Sequence, residues 1–232
     1  MKQLVLDIRR DAPPTLDNFV AGDANAELIA TLALHAEAGR DAGMLTAPHV
    51  YLWGTQGSGR SHLLRATVAL AAAGGRTTYY LQGAEVGDAL PDSAGALIAI
   101  DDVDTLGAQA QIALFNAFNR SRGNGQALLL AGPVAVLGLA LREDLRTRIG
   151  QSLIFEVQPL DDASRAAILA TLAERRGLRL ADEVTDFLLR HGRRDLPSLL
   201  AVLDALDAAS LERKRPITLP LLREMMQQGL AI

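Results

Sequence analysis

Val50-Tyr51-Leu52-Trp53-Gly54-Thr55-Gln56-Gly57-Ser58-Gly59-Arg60-Ser61-His62 is the stretch that decides the fold. Four apolar residues closed by a glycine read as a short buried strand. From Ser61 the spacing is helical as far as Ala73 and stops at Gly74-Gly75, a helix terminator. The glycines between strand and helix allow backbone N–H groups to turn inward at the positive end of the helix dipole, where an anion is stabilised. The stretch matches a phosphate-binding loop at every position but one, since Arg60 stands where the pattern has lysine. A glycine-rich turn without a ligand is the plain alternative. The agreement of motif and context favours the phosphate.

The candidate nucleotide-binding residues here are Gly54, Gln56, Gly57, Ser58, Gly59, Arg60, Ser61 and His62, and Ser61 would also reach Mg2+. Lysine is a compact point charge on a slim stem, whereas arginine is a broad planar fork. Arg60 can neutralise phosphate but is badly shaped to follow a terminal phosphoryl group into its transition state. Binding is expected; fast hydrolysis is not.

Farther along, Leu97-Ile98-Ala99-Ile100-Asp101-Asp102 is a second apolar strand ending in two carboxylates, about 40 residues beyond the loop. Taken alone, an acidic strand end is a solvated one. At this spacing from a phosphate loop, Asp101 is placed to hold Mg2+ through water and Asp102 to orient an attacking water. The strand Ala127–Ala131 should then end in a polar side chain that senses the terminal phosphate. It runs instead into Gly132-Pro133, a second defect beside Arg60. Arg148, in Asp144-Leu145-Arg146-Thr147-Arg148-Ile149-Gly150, follows that strand and precedes another at Leu153–Val157. In AAA+ proteins an arginine placed so faces the neighbouring subunit's nucleotide and stabilises charge on the transferring phosphoryl group. Surface arginines at a helix end are the plain reading, preferred for Arg142 and Arg146 but not for Arg148. Arg194, in Gly192-Arg193-Arg194-Asp195-Leu196, is placed either to reach back to the phosphates or as part of a solvated charge run.

Helical spacing covers 25–42 and 112–122, and Thr77–Leu81 reads as a further strand. Strands alternating with helices predict an α/β fold with a largely parallel sheet. After Pro159 only helices are expected, over 162–176, 181–189, 196–211 and 219–228, so a small helical lid domain is placed at 160–232 behind a nucleotide-binding domain at 15–159. Residues 1–14 end in Pro13-Pro14 and read as an extended tail.

Of the 232 residues 49% are hydrophobic but only 4% aromatic, which suits Leu- and Ala-rich helices packed on a sheet. The formal net charge of −4 gives no general attraction for nucleic acid, and the absence of cysteine excludes disulfides and thiol chemistry. No signal peptide and no stretch long enough to span a bilayer is evident, so a cytoplasmic protein with no membrane contact is expected.

Together these motifs resemble the bacterial replication initiator DnaA family, from Thr15 almost to the end of the chain and in the family's order. Thr15-Leu16-Asp17-Asn18-Phe19-Val20-Ala21-Gly22 resembles the stretch that opens the initiator's AAA+ domain, which implies that Phe19 and Val20 line an adenine pocket. Asp101-Asp102-Val103, Thr147-Arg148-Ile149-Gly150 and Arg194-Asp195-Leu196 resemble the family's acidic, arginine-finger and lid-sensor boxes. The initiator's helix-turn-helix domain has no counterpart here, and Arg213-Lys214-Arg215 beside Pro216 reads as a solvated turn. Gln3-Leu4-Val5-Leu6-Asp7-Ile8 resembles the peptide by which bacterial proteins dock on the sliding clamp, the DNA polymerase III beta subunit. Gln3 would supply hydrogen bonds, and Leu4, Leu6 and Ile8 apolar contacts. An edge strand has the same alternation; beside an initiator-like core the docking reading is the better one.

The resemblance implies a regulator of initiation holding ADP or ATP with Mg2+ and tethered to DNA through the clamp, hence associated with the nucleoid. It would act on the DnaA initiator in trans through Arg148. A helicase loader and a self-sufficient ATPase are the rival readings, and head-to-tail homo-oligomers are open to such a chain.

Overall fold

The computed structural model describes residues 13–17, 19, 23–37, 49–158, 162–175, 177–191, 196–213, 215–228 and 230. Of the residues singled out above, Gln3, Leu4, Leu6, Ile8, Val20 and Arg194 lie outside the described residues.

Strands β1 (Val50–Trp53), β2 (Thr78–Gln82), β3 (Leu97–Asp101), β4 (Ala127–Gly132) and β5 (Leu153–Glu156) form one sheet in the order β2-β3-β4-β1-β5. All four pairings are parallel. A parallel sheet is covered on both faces, so its central strands should be continuously apolar. β3 and β4 have no exposed residue, and β1 has only a partly buried Trp53. Side chains alternate between two cores. Tyr51, Ile98, Ile100, Leu128 and Leu130 face α3 (Ala108–Asn124) and α4 (Glu143–Ile149). Leu52, Leu97, Ala99, Leu129 and Ala131 face α1 (Ala26–Glu37) and α2 (Arg60–Ala73).

The described elements depart from the sequence reading in three places. α3 begins at Ala108, four residues before Ile112, because its first turn, Ala108-Gln109-Ala110-Gln111, alternates alanine with glutamine and offers no helical apolar spacing. α4 has only seven residues, too few for periodicity to announce, yet it buries Leu145 and Ile149. Arg213, read as part of a solvated turn, is the last residue of helix α7 and pairs with Glu224 at 2.6 Å and Gln228 at 2.9 Å.

The chain divides into two compact units, with the main break between Val157 and Gln158. The second is helical: α5 (Asp162–Arg175), α6 (Asp182–His191), α7 (Leu196–Arg213) and α8 (Leu219–Gln227). Its core gathers Val184, Leu188, Val202, Leu206, Leu222 and Met225.

Two polar features brace the sheet at the N-terminal ends of its strands. The guanidinium of Arg76 donates to the carbonyls of Gly95, His35 and Ala96, binding three segments with one side chain. His49 accepts from the Leu128 amide through Nδ1 at 3.1 Å and bonds Ser121 Oγ through Nε2 at 2.9 Å. Nδ1 as acceptor requires the neutral ring with its proton on Nε2. Burial, reinforced by the charge of Arg122, lowers the His49 pKa to about 4. Burial, with Arg76 and His49 adding to it, lowers that of His35 to about 3, and neither ring nitrogen of His35 has a hydrogen-bond partner.

The unfolded imidazoles take up protons near 6.5, whereas the folded ones resist until about 4 and 3. In that window the unfolded state binds more protons, so stability is full above pH 6.5 and falls as the pH drops. The slope should approach about 1.4 kcal/mol per pH unit for each histidine. Urea midpoints between pH 8 and 4 should trace this decline, and His49→Gln, less stable at pH 8, should show a shallower one.

Candidate functional site

In a parallel sheet every strand ends at the same edge, and ligands of open α/β folds bind beyond that edge. Here it carries the loop after β1, the carboxylates ending β3, and Gly132 at the end of β4, whose register sets Gly132 beside Trp53.

The loop has the backbone of an anion cradle. Gly57 and Gly59 take φ of 80° and 99°, a region that other residues rarely occupy, and Ser58 N donates to Thr55 O. Gly59 caps α2 without a side-chain hydrogen bond, so the first amides of the helix remain open to an acceptor. The Ser58 hydroxyl is buried with no partner, a polar group that a bound oxygen would satisfy. Gly59 is constrained twice over, since a Cβ there would stand 2.5 Å from the Phe19 ring. Phe19 also meets His62, ring centroids 5.7 Å apart, and His62 Nε2 lies 3.0 Å from Thr15 O. The structure thus brings Phe19, Gly59 and His62 together.

The acidic end of β3 is tightly arranged. Asp101 is 1% exposed, and its oxygens accept from the Tyr80 hydroxyl at 2.8 Å and the Asp102 amide at 3.0 Å. Tyr80 in turn accepts from Gln82, while Arg65 lies over its ring. Burial, with the Asp101 hydrogen bond next, raises the Tyr80 pKa to about 12, so the phenol remains a donor at neutral pH. Asp102 is the only described non-glycine residue with positive φ, at 48°. Its carbonyl is fixed by Thr105 N and Oγ1 at 2.9 and 2.7 Å, and Gly83 packs so closely against it that a Cβ would meet that oxygen. Such backbone costs about 1–3 kcal/mol and persists where the surroundings impose it. Burial, then the charge of Asp101, holds the Asp102 carboxyl above the usual range, against the pull of Arg60.

Arg60 points to both parts of the edge. Nη1 donates to Gly54 O at 2.8 Å, and Nη2 lies 3.7 Å from Asp102 Oδ1. At the end of β4 a Cβ on Gly132 would stand 2.6 Å from the Tyr51 hydroxyl, which donates to Val134 O. Sequence reasoning missed Tyr51, because an apolar run gives no sign that one of its members carries a directed hydroxyl.

As metal donors the residues offer hard oxygens, the Ser61 hydroxyl and the Asp101 carboxylate. No group of three or more His, Cys, Asp or Glu that could hold a metal occurs among the described residues. That donor set suits Mg2+ brought with phosphate oxygens and waters rather than caged by protein.

Arg148 lies apart from this cluster, in the last turn of α4, half-buried with its guanidinium 5.6 Å from the centre of the Phe115 ring. No carboxylate among the described residues pairs with it, whereas Arg142 forks onto Asp144 at 2.7 and 3.2 Å. No described helix is long and apolar enough to cross a membrane.

Gly59→Ala should cost about 1–3 kcal/mol, read as a fall in thermal midpoint. Phe19→Ala in the same chain should recover only the steric part of that loss and not the backbone part.

The family model described as Hda, lid domain, matches residues 162–226. An uncharacterized protein of Haemophilus influenzae is 31% identical over 97% of this chain and 98% of its own. Among solved structures, domain III of the Thermotoga maritima replication initiation protein DnaA superposes with a TM-score of 0.74 at 18% identity, over 95% of this chain and 98% of that one. AMPPCP-bound DnaA from Aquifex aeolicus gives 0.68 at 22% identity, over 87% of this chain and 67% of that one. The sheet of five parallel strands between helices, followed by a helical lid, is the AAA+ fold shared with these initiators, and the chain belongs to the Hda-like, DnaA-related AAA+ family.

Proposed function

We propose that this protein is a negative regulator of replication initiation that inactivates the initiator DnaA. It holds ADP or ATP with Mg2+ at residues 54–62, docks on the sliding clamp through Gln3, Leu4, Leu6 and Ile8, and presents Arg148 to the ATP bound by DnaA. The domains follow as a tail at 1–14, a nucleotide-binding domain at 15–159 and a helical lid at 160–232. Phe19 and Val20 would cover the base, and Arg194 would reach the phosphates from the lid.

The observation that carries this reading is Arg148: a half-buried arginine over Phe115, with no carboxylate partner among the described residues. An arginine kept for stability is usually paired, whereas one kept for an incoming anion is left without a counter-charge. Its guanidinium would stabilise charge on the phosphoryl group as water attacks and the bond to the leaving ADP breaks, an effect worth ~10³–10⁵ in rate for such arginines. The chain's own loop serves a different end. It binds a nucleotide, orders the protein around it and need not turn it over.

Clamp docking confines the protein to DNA-loaded clamps, so its effect on DnaA is linked to ongoing synthesis. Contact with DNA is then indirect, in keeping with the formal net charge of −4. The site of action would be the cytoplasm, at the nucleoid.

Hydrolysis of DnaA-bound ATP should accelerate when this protein and DNA-loaded clamp are both present. Arg148→Ala should lose most of that acceleration while leaving nucleotide binding intact. Gln3→Ala should weaken it only where the clamp is limiting. No acceleration by a folded, nucleotide-loaded protein would sink the proposal and turn attention to the replicative helicase as partner.

A further inference from the structure

Two polar side chains at the C-terminal edge of the sheet are committed to protein partners where hydrolysis would need open space. Arg60, with only 12% of its side chain exposed, forks between the Gly54 carbonyl and the Asp102 carboxylate. Its two arms thus connect the entrance of the phosphate loop to the residue that would orient a water. The Arg60 charge opposes the rise that burial and Asp101 give the Asp102 carboxyl, and so makes it a poorer acceptor for a water proton than it would be without Arg60. The guanidinium 3.7 Å away competes with water for Asp102 Oδ1, and the left-handed backbone at residue 102 sets the direction from which the carboxylate approaches. Independently, the Tyr51 hydroxyl stands where a side chain at residue 132 would begin. It is fixed there by a 2.6 Å hydrogen bond to Val134 O, and Tyr51 itself is fully buried. Burial pushes the Tyr51 pKa well up, so its proton remains available for that bond.

We propose that Arg60 and Tyr51 are positioning residues that keep this site holding nucleotide without hydrolysing it, Arg60 by pairing with Asp102 and Tyr51 by filling the space of a sensor side chain at residue 132. The inference rests on the reading of the loop as a nucleotide site, but not on the role of Arg148 or of the clamp. The suppressed step is attack of water on the terminal phosphorus of ATP. The bond to the bridging oxygen breaks, ADP and inorganic phosphate leave, and the water's proton passes by way of Asp102 to solvent.

The test begins with wild-type chain titrated with fluorescent ADP and ATP analogues in Mg2+. No binding would end the nucleotide-site reading, and this inference with it. With binding established, single-turnover phosphate release is compared for wild type, Arg60→Lys, and the triple variant Arg60→Lys, Tyr51→Phe, Gly132→Asn. At ATP concentrations that saturate each protein, the triple variant is expected to release phosphate faster by ~10-fold or more, a gain that a further Asp102→Asn removes. Comparable binding with no faster release would overturn the proposal. A readout independent of nucleotide comes from thermal unfolding. Gly132→Ala should lower the midpoint more in wild type than in Tyr51→Phe, and equal losses in the two backgrounds would overturn the part assigned to Tyr51.

Discussion

A sheet of parallel strands must hide both of its faces, and that requirement shapes the rest of this molecule. β3 and β4 leave no residue exposed, so the sheet interior has no room for chemistry. The polar side chains of the candidate site gather at the edge where the strands end. At that edge the carboxylate of Asp101 is nearly as buried as the leucines before it. A phenol and a backbone amide donate to its oxygens, and those donors are held in turn by Gln82, Arg65 and the left-handed turn at Asp102. The left-handed backbone of Asp102 and the close packing of Gly83 occur at this same strand end.

The two cores respond to the same requirement. Alternate residues of β1, β3 and β4 face opposite helix layers, so each strand binds α1 and α2 on one side to α3 and α4 on the other. Arg76 and His49 work at the far end of the strands, where they bind carbonyls and amides that water would otherwise serve. The sheet therefore has a bracing polar end and, a strand's length away, the edge that carries the candidate site. Protonating the first loosens the frame that positions the second.

Much of this was legible in the sequence because the signals are local. Continuous apolar runs bounded by glycine or acid announce buried strands, and the spacing of Gly54, Gly57 and Gly59 announces the loop. The helices beyond Pro159 follow from periodicity. α4 was not legible, since seven residues hold too few turns for a pattern, and the Ala-Gln alternation in the first turn of α3 concealed where that helix starts. Strand order did not emerge either, because it depends on crossovers that leave no trace in any one segment. At the site, residue identities were readable and their partners were not. Arg60 is plainly an arginine in place of lysine, but its pairing with Asp102 joins residues far apart in the chain. Tyr51 reads as one more apolar residue, and only the fold shows its hydroxyl beside Gly132.

That contact bears on the order in which substitutions at this edge can be accepted. While Tyr51 keeps its hydroxyl, any side chain at residue 132 collides with it. Loss of the hydroxyl alone leaves Val134 O without its donor and brings nothing in return. Residues 51 and 132 are therefore coupled: a side chain is accommodated at 132 without cost only when position 51 changes with it.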